Sequence, residues 1–360
     1  MGKQKNKLPK TAPKSKPAPP SAKPDQKKSE AKEFLQIGGS PVPGLTLRHV
    51  LRGHKDCIGH CRWSPDGRLI ASPSFDTTVR IWNVETGESV LTLQGHTDWV
   101  NSVAWSPDGK LIASASKDKD IILWDTQSGE RLGKLPGRAG SVFDLAWMLD
   151  GYRIISCGSD DKTEVWNVET GELINKFSQG WNIAVSPNDR VLAVSANYKY
   201  AEMYLHDTAV RLFDLENGKL LEQLSGLQDW GAKLAWSPDG RLLAIGTGLD
   251  NPRIAIWEYK TARNIVFLEG HTKNFRYLAF SADGKLLASK SRDGTVRLWR
   301  TDSWITVAKI IEPIGDARSS GSDNKGLAFC PFHLPLLLLV KKILSFASGI
   351  WIWMCCLVVT

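Results

Sequence analysis

A unit of about 42 residues repeats along most of this 360-residue chain, and the repeat constrains the fold more than any other feature. Three clear copies begin at Gly53, Gly95 and Gly270. Each copy has a Gly-His pair, an aromatic residue nine positions after the histidine, a turn of the S-P-D-G type, and an Asp and a Trp six positions apart. Self-similarity at a fixed period of this length is typical of a chain built from equal supersecondary units.

Other copies keep the spacing while losing parts of the motif. The aromatic residue and the Trp are 19 positions apart in four copies, which run from Trp63 to Trp82, Trp105 to Trp124, Trp147 to Trp166 and Phe280 to Trp299. Two worn copies run from residue 186 to Phe213 and from Trp236 to Trp257. The chain therefore has six legible copies of the unit.

The hydropathy pattern inside each copy predicts β-strands. Apolar and polar residues alternate with period two, and turn residues recur roughly every 8 to 12 positions. In the second copy this pattern predicts strands at 99–105, 110–116, 120–125 and 130–135. Four short antiparallel strands per unit predict one blade of a β-propeller, so the expected fold is all-β.

Because these signals recur together at fixed offsets, residues 46–340 resemble the WD40 repeat family. The resemblance implies a seven-bladed WD40 β-propeller, with six legible blades and a degenerate or frame-shifted seventh. It also implies that a hydrogen-bonded set of His, Ser, Asp and Trp locks each blade. The matching residues are His54, Ser72, Asp76 and Trp82, then His96, Ser114, Asp118 and Trp124, then His271, Ser289, Asp293 and Trp299. The third copy has Arg138 at the histidine position, so we expect an incomplete lock there.

The Ser, His and Asp of these sets do not predict catalysis. Nucleophilic catalysis needs one exposed and polarised set, whereas this set recurs from copy to copy. The sequence also lacks G-x-x-x-x-G-K-[ST], H-E-x-x-H and G-x-S-x-G motifs and any pair of C-x-x-C motifs. We therefore predict a protein that is not an enzyme, with no catalytic residue, cofactor, metal or small-molecule substrate.

In this family the loop before the first strand of a blade and the tight turn between its second and third strands lie on one face of the ring. The resemblance places Cys57, Trp99, Ser141, Trp230 and Asn274 in these loops, and Phe75, Lys117 and Arg292 in the turns. Because exposed Trp and Arg dominate binding energy when they cluster, the candidate partner-binding residues are Phe75, Trp99, Lys117, Trp230 and Arg292. The alternative is that Trp99 and Trp230 only pack against the neighbouring blade. The long segment 197–208 is a second candidate contact.

The two ends of the propeller differ from it in composition. Residues 1–33 carry ten lysines against three acidic residues, which accounts for most of the net charge of +8. Such a Lys/Pro/Ala-rich segment predicts a disordered leader, with nucleic acid or an acidic surface as an open partner. The six cysteines form no regular framework, which favours reduced thiols and a cytoplasmic location.

At the other end the repeat stops after Phe329, and residues 341–360 form a hydrophobic tail. One interpretation is a membrane anchor spanning 343–359. The favoured one is a slipped reading frame: a back-translation of 337–351, read two bases downstream, gives TLGEEDTVIRIWDL, whose Trp falls 19 positions after Phe329. Translating the coding DNA beyond codon 325 in all three frames separates the two interpretations.

These observations predict a non-enzymatic protein–protein interaction scaffold, of the kind that forms the recognition half of a larger signalling protein. The alternative is a tail-anchored membrane adaptor that uses the same propeller. The sequence leaves the identity of the partner open in both cases.

Overall fold

The computed structural model describes residues 45–178, 180–195, 210–224, 227, 232–247, 251–311, 327–329, 336–344 and 350–359. It describes no side chains for residues 45–48, 50, 178 and those within 327–359. The described chain is almost entirely β-strand, with one short 3-10 helix at Tyr259–Thr261. The expected all-β class is therefore confirmed.

Six blades follow one another along the chain, and each is a four-stranded antiparallel sheet in sequence order. The first blade contains β2 Arg62–Trp63, β3 Leu69–Pro73, β4 Thr78–Asn83 and β5 Ser89–Gln94. The second contains β6 Val100–Trp105, β7 Leu111–Ser116, β8 Ile121–Asp125 and β9 Arg131–Leu135. The third contains β10 Val142–Trp147, β11 Arg153–Gly158, β12 Lys162–Asn167 and β13 Leu173–Ser178. The fourth blade contains β14 Asn182–Val185, β15 Val191–Ser195, β16 Val210–Asp214 and β17 Leu220–Leu224. The fifth contains β18 Lys233–Trp236, β19 Leu242–Thr247, β20 Arg253–Glu258 and β21 Arg263–Glu269. The sixth contains β22 Phe275–Phe280, β23 Leu286–Ser291, β24 Thr295–Arg300 and β25 Thr306–Ile311.

The burial of each strand follows its place in the blade. In the second blade, β7 and β8 are buried along nearly their whole length, while β9 is mostly exposed and buries only Leu135. The inner strands are covered on both faces by the neighbouring blades, whereas the fourth strand forms the outer rim of the ring. The four strands predicted for this blade agree with the observed bounds to within one residue.

The hydrophobic core lies between blades and not within one of them. Between the first and second blades, Ile81 and Leu93 pack with Val103, Ile112 and Trp124, all of them buried. Because this core belongs to two repeats at once, one repeat alone would leave its apolar faces in water, so the blades depend on each other for stability.

The remaining strands come from both ends of the described chain. They are β1 Leu45–Arg52, β26 Leu327–Phe329, β27 Leu336–Leu344 and β28 Ile350–Val359, which pair antiparallel in the order β1, β28, β27, β26. Residues within the span proposed as a membrane anchor thus form strand β28. No helix in the described ranges is long and apolar enough to cross a membrane.

Candidate functional site

Three blades are held by the same buried hydrogen-bonded set. In the first blade, His54 Nδ1 lies 2.9 Å from Asp76, Ser72 Oγ lies 2.8 Å from His54 Nε2, and Trp82 Nε1 donates to Ser72 Oγ at 2.7 Å. With the carboxylate accepting from Nδ1–H, the other ring nitrogen accepts from the serine hydroxyl, which is free to accept the indole N–H. The same contacts measure 2.7 to 2.9 Å in the sets formed by His96, Ser114, Asp118 and Trp124 and by His271, Ser289, Asp293 and Trp299.

The carboxylates of these sets are stabilised as anions. Burial alone would raise the pKa of Asp118, but hydrogen bonds from His96 and from the backbone N–H groups of Thr97 and Asp120 lower it to about 2. The same balance, with the histidine hydrogen bond as the main opposing effect, lowers the pKa of Asp76 and of Asp293. Each histidine is almost wholly buried, so the sets fix the tight turn to the inner strands and expose no nucleophile.

The third blade corrects the expectation of an incomplete lock. The Arg138 guanidinium is buried at the position of the missing histidine, where it donates to Ser156 Oγ and to Asp160, both at 2.7 Å. It also lies 3.3 Å from Glu164, and Trp166 Nε1 donates to Ser156 Oγ at 3.1 Å. The arginine therefore closes the set, because its planar fork reaches the serine and the carboxylate together.

The loops and tight turns named from the sequence lie on one face of the propeller. In four blades a backbone hydrogen bond of 2.8 to 2.9 Å joins them, from Phe75 to Cys57, Lys117 to Trp99, Ser159 to Ser141 and Arg292 to Asn274. Cys57 itself is buried, contrary to the expectation that this face presents it. Cys57, Cys61 and Cys157 are reduced thiols, and burial raises the pKa of Cys61 to about 12 despite the nearby Arg62 and Lys290 charges.

On this face the structure brings three of the five candidate binding residues together. Phe75 of the first blade stacks on Trp99, with ring centroids 4.4 Å apart and planes 5° from parallel. Lys117 Nζ lies 4.2 Å from the centroid of the Trp99 ring and 3.3 Å from Asp98. Trp99 packs on the neighbouring blade and remains 42% exposed, while its contact with a partner stays a prediction.

The other two candidates lie apart from this stack or cannot be placed. Arg292 is exposed in the sixth blade, at the turn position that Phe75 and Lys117 hold in theirs. Trp230 and the segment 197–208 lie outside the described residues. In the part of this face that the structure describes, Phe75, Trp99 and Lys117 form an assembled aromatic and cationic cluster.

The sequence analysis missed a second group of polar residues. They stand three positions before the last residue of the inner strand in all six blades, namely at His60, Ser102, Asp144, Asn182, Lys233 and Tyr277. The signal was a polar side chain at one fixed offset in every repeat, where the inner strands of a propeller line the central channel.

Six successive four-stranded antiparallel sheets with blade cores between them define a β-propeller. Residues 45–83, 87–125, 129–167 and 262–300 match the family described as "WD domain, G-beta repeat". These four stretches are therefore WD repeats, as their motifs indicated.

Several curated proteins are similar to part of the chain. The chain is 30% identical over 33% of its length to "Target of rapamycin complex subunit wat1" of Schizosaccharomyces pombe, covering 35% of that protein. It is 34% identical over 31% of its length to "Pre-mRNA-processing factor 19 homolog 2" of Arabidopsis thaliana, covering 21% of it. It is 30% identical over 32% of its length to "Anaphase-promoting complex subunit cdh1" of Dictyostelium discoideum, covering 15% of it. The chain thus spans about a third or less of these proteins.

Proposed function

We propose that this protein is a non-enzymatic scaffold that binds a protein partner through the cluster of Phe75, Trp99 and Lys117. The observation that carries the proposal is a tryptophan that is 42% exposed yet held on both sides, by the Phe75 ring and by the Lys117 ammonium group. Two of the relatives are named as subunits of complexes, which supports a role in assembly.

The geometry indicates what kind of partner fits. Because Trp99 is already ordered by its neighbours, a partner pays little conformational entropy to bury it, and rigid aromatic anchors of this type dominate interface energies. Phe75 and Lys117 flank the ring, so the indole edge is the part that remains for contact. We expect the partner to be a peptide or protein loop that places an apolar side chain against this edge and a carboxylate near Lys117. The ammonium group of Lys117 already lies 3.3 Å from the carboxylate of Asp98.

Replacing Trp99 with Ala tests the proposal. Partners that co-purify with the wild-type protein are identified first, and their affinities for the purified variants are then measured by calorimetry. We expect Trp99→Ala to weaken binding by about thirtyfold or more, as hot-spot residues do, with a melting temperature close to that of the wild type.

The matched control is Leu149→Ala, which removes a side chain that is 64% exposed. Leu149 lies in the turn after the inner strand of the third blade, at the opposite end of the propeller from Trp99. The control should leave affinity unchanged. Equal affinities for wild-type protein and Trp99→Ala, or a loss that appears only with Leu149→Ala, would contradict the assigned face.

We also propose that the ring has seven blades, the last formed by β26, β27, β28 and β1. Two facts support this: β26 contacts the inner strands β22 and β2 of the sixth and first blades, and β1 pairs with β28. A sheet in that place would join the two ends of the array and leave no open edge.

An engineered disulfide tests this closure. Val50 and Cys355 are directly opposite in the pairing of β1 with β28, and Cα atoms of such pairs lie within disulfide range. We expect Val50→Cys to form an intramolecular crosslink with Cys355 on mild oxidation, seen as a mobility shift on a non-reducing gel. Arg52→Cys, opposite Trp353, is the control and should form none. A Val50→Cys protein that stays reduced would refute the closure.

A cytoplasmic location and contacts of residues 1–33 with nucleic acid stay predictions. Those residues lie outside the described chain.

A further inference from the structure

A ring of polar residues, one from each of the six blades, surrounds the central channel and is called the polar ring below. The six residues that occupy one equivalent position in the six blades are His60, Ser102, Asp144, Asn182, Lys233 and Tyr277. Ser102 Oγ donates to Asp144 at 2.6 Å, and His60 Nδ1 lies 3.1 Å from the same carboxylate. Lys233 Nζ donates to Asn182 Oδ1 at 2.6 Å. These contacts join residues of different blades in two groups, one around Asp144 and one formed by Asn182 and Lys233.

Two positions further along the inner strand, the channel widens. Five blades have alanine there, at Ala104, Ala146, Ala184, Ala235 and Ala279, and only the first blade has a long side chain, Arg62. Arg62 donates to the Tyr277 hydroxyl at 2.5 Å and lies 3.5 Å from Asp144. The alanines leave a cavity of about 540 Å³, lined by most of the polar ring at its inner end.

The cavity is within the size range of small-molecule sites, and its other end is lined by turn residues such as Pro65 and Pro187. These turns lie at the opposite end of the blades from Phe75, Trp99 and Lys117. A ligand in the channel therefore would not compete with a partner on the face proposed above.

The charged side chains at the end of the cavity beside the polar ring indicate which kind of ligand would fit. Arg62 and Lys233 are cationic, and Asp144 is the single carboxylate of the ring, engaged by Ser102, His60 and Arg62. The other carboxylate that lines the cavity, Asp189, lies at the turn end, where it accepts the backbone N–H of Leu149. Among the residues whose side chains the structure describes, the inner end thus carries two permanent cations against one anion, with hydroxyl and amide groups beside them.

We propose that this channel binds a small organic anion, whose carboxylate or phosphate lies between Lys233 and Arg62 and whose body fills the space beside the alanines. Charge-assisted hydrogen bonds from lysine and arginine are the usual way to hold such oxyanions, and they are strongest where water is excluded. The site is independent of the proposed scaffold function.

Calorimetric titration of the full chain with inorganic phosphate and with succinate, at ionic strength matched by sodium chloride, tests the proposal. We expect saturable binding of at least one anion and a rise in melting temperature with its concentration. Phosphate binding alone would identify phosphate esters as the ligand source, and succinate binding alone would identify carboxylates. Absence of saturable binding by both would overturn the proposal.

Two variants locate the binding. Lys233→Met should weaken it about tenfold or more, whereas Lys285→Met, which removes an ammonium group from a side chain that is 83% exposed, should not. Because Lys233→Met also changes the ring, Ala146→Leu provides a second test: it keeps every charge and fills the cavity, so it should abolish binding. Binding that survives both substitutions would place the anion elsewhere and refute the site.

Discussion

Arg138→Met is expected to lower the free energy of unfolding by about 3–5 kcal/mol, the cost of removing one partner from a buried ion pair. Methionine matches the length of the arginine but has no donors. Asp160 would lose a hydrogen bond of 2.7 Å, and Glu164 would lose the cation 3.3 Å away while keeping Lys176 at 3.1 Å. Ser156 would also lose a donor at the centre of the blade.

A pair of further variants separates the loss of the lock from the loss of packing. Arg138→His alone should recover part of the stability, because histidine supplies the Ser and Asp contacts seen in the second blade. Adding Glu164→Ile, which places isoleucine where the second blade has Ile122, should recover most of the remainder, since it removes the buried carboxylate that has lost Arg138 and keeps only Lys176 as a cation.

Urea unfolding followed by tryptophan fluorescence measures these differences. The control is Arg300→Met, which removes an exposed pair with Asp302 at the turn between β24 and β25 and should leave the midpoint nearly unchanged. A loss for Arg138→Met no larger than that of Arg300→Met would show that the arginine is not part of the lock.

The second large effect is expected at the channel, where Asp144→Asn should cost about 3–5 kcal/mol at neutral pH. Asparagine keeps the size of the side chain but removes the charge that lies 3.1 Å from His60 and 3.5 Å from Arg62. It also replaces an acceptor of the Ser102 hydroxyl, a hydrogen bond of 2.6 Å that ties the second blade to the third.

The pH dependence of this variant gives an independent readout. Burial alone would raise the pKa of Asp144, but the charges of His60 and Arg62 and the hydrogen bonds of His60 and Ser102 lower it. A carboxyl whose pKa is lower in the folded state contributes stability above its unfolded pKa of about 3.9, and this contribution is lost as the pH falls. The deficit of Asp144→Asn should therefore be full at pH 7 and shrink below about pH 4.

Chemical denaturation at several pH values measures this deficit. Asp302→Asn is the control, because its carboxylate is exposed in the turn between β24 and β25 and its removal should change the midpoint little at any pH. A deficit for Asp144→Asn that stays constant between pH 7 and pH 3 would contradict the assigned ion pair.

The sequence determined the blade by itself. The period of about 42 residues, the alternation of apolar and polar residues and the four-part motif locate the strands of the second blade to within one residue. The locking sets of the first, second and sixth blades, such as His54, Ser72, Asp76 and Trp82, are found where the motif puts them. This succeeded because strand pairing and locking occur within one repeat, so the spacing along the chain fixes which residues meet.

The contacts between residues of different blades could be seen only in the folded chain. Phe75 reaches Trp99 across a blade boundary, His60 meets Asp144 two blades away, and Arg62 bonds Tyr277 at a separation of 215 residues. Arg138 shows that spacing is insufficient even within one blade. The motif lacks a histidine there, but the arginine is long enough to make the contacts with Ser156 and Asp160. The motif fixes where each side chain starts, but the curvature of the ring and the reach of each side chain decide what it touches.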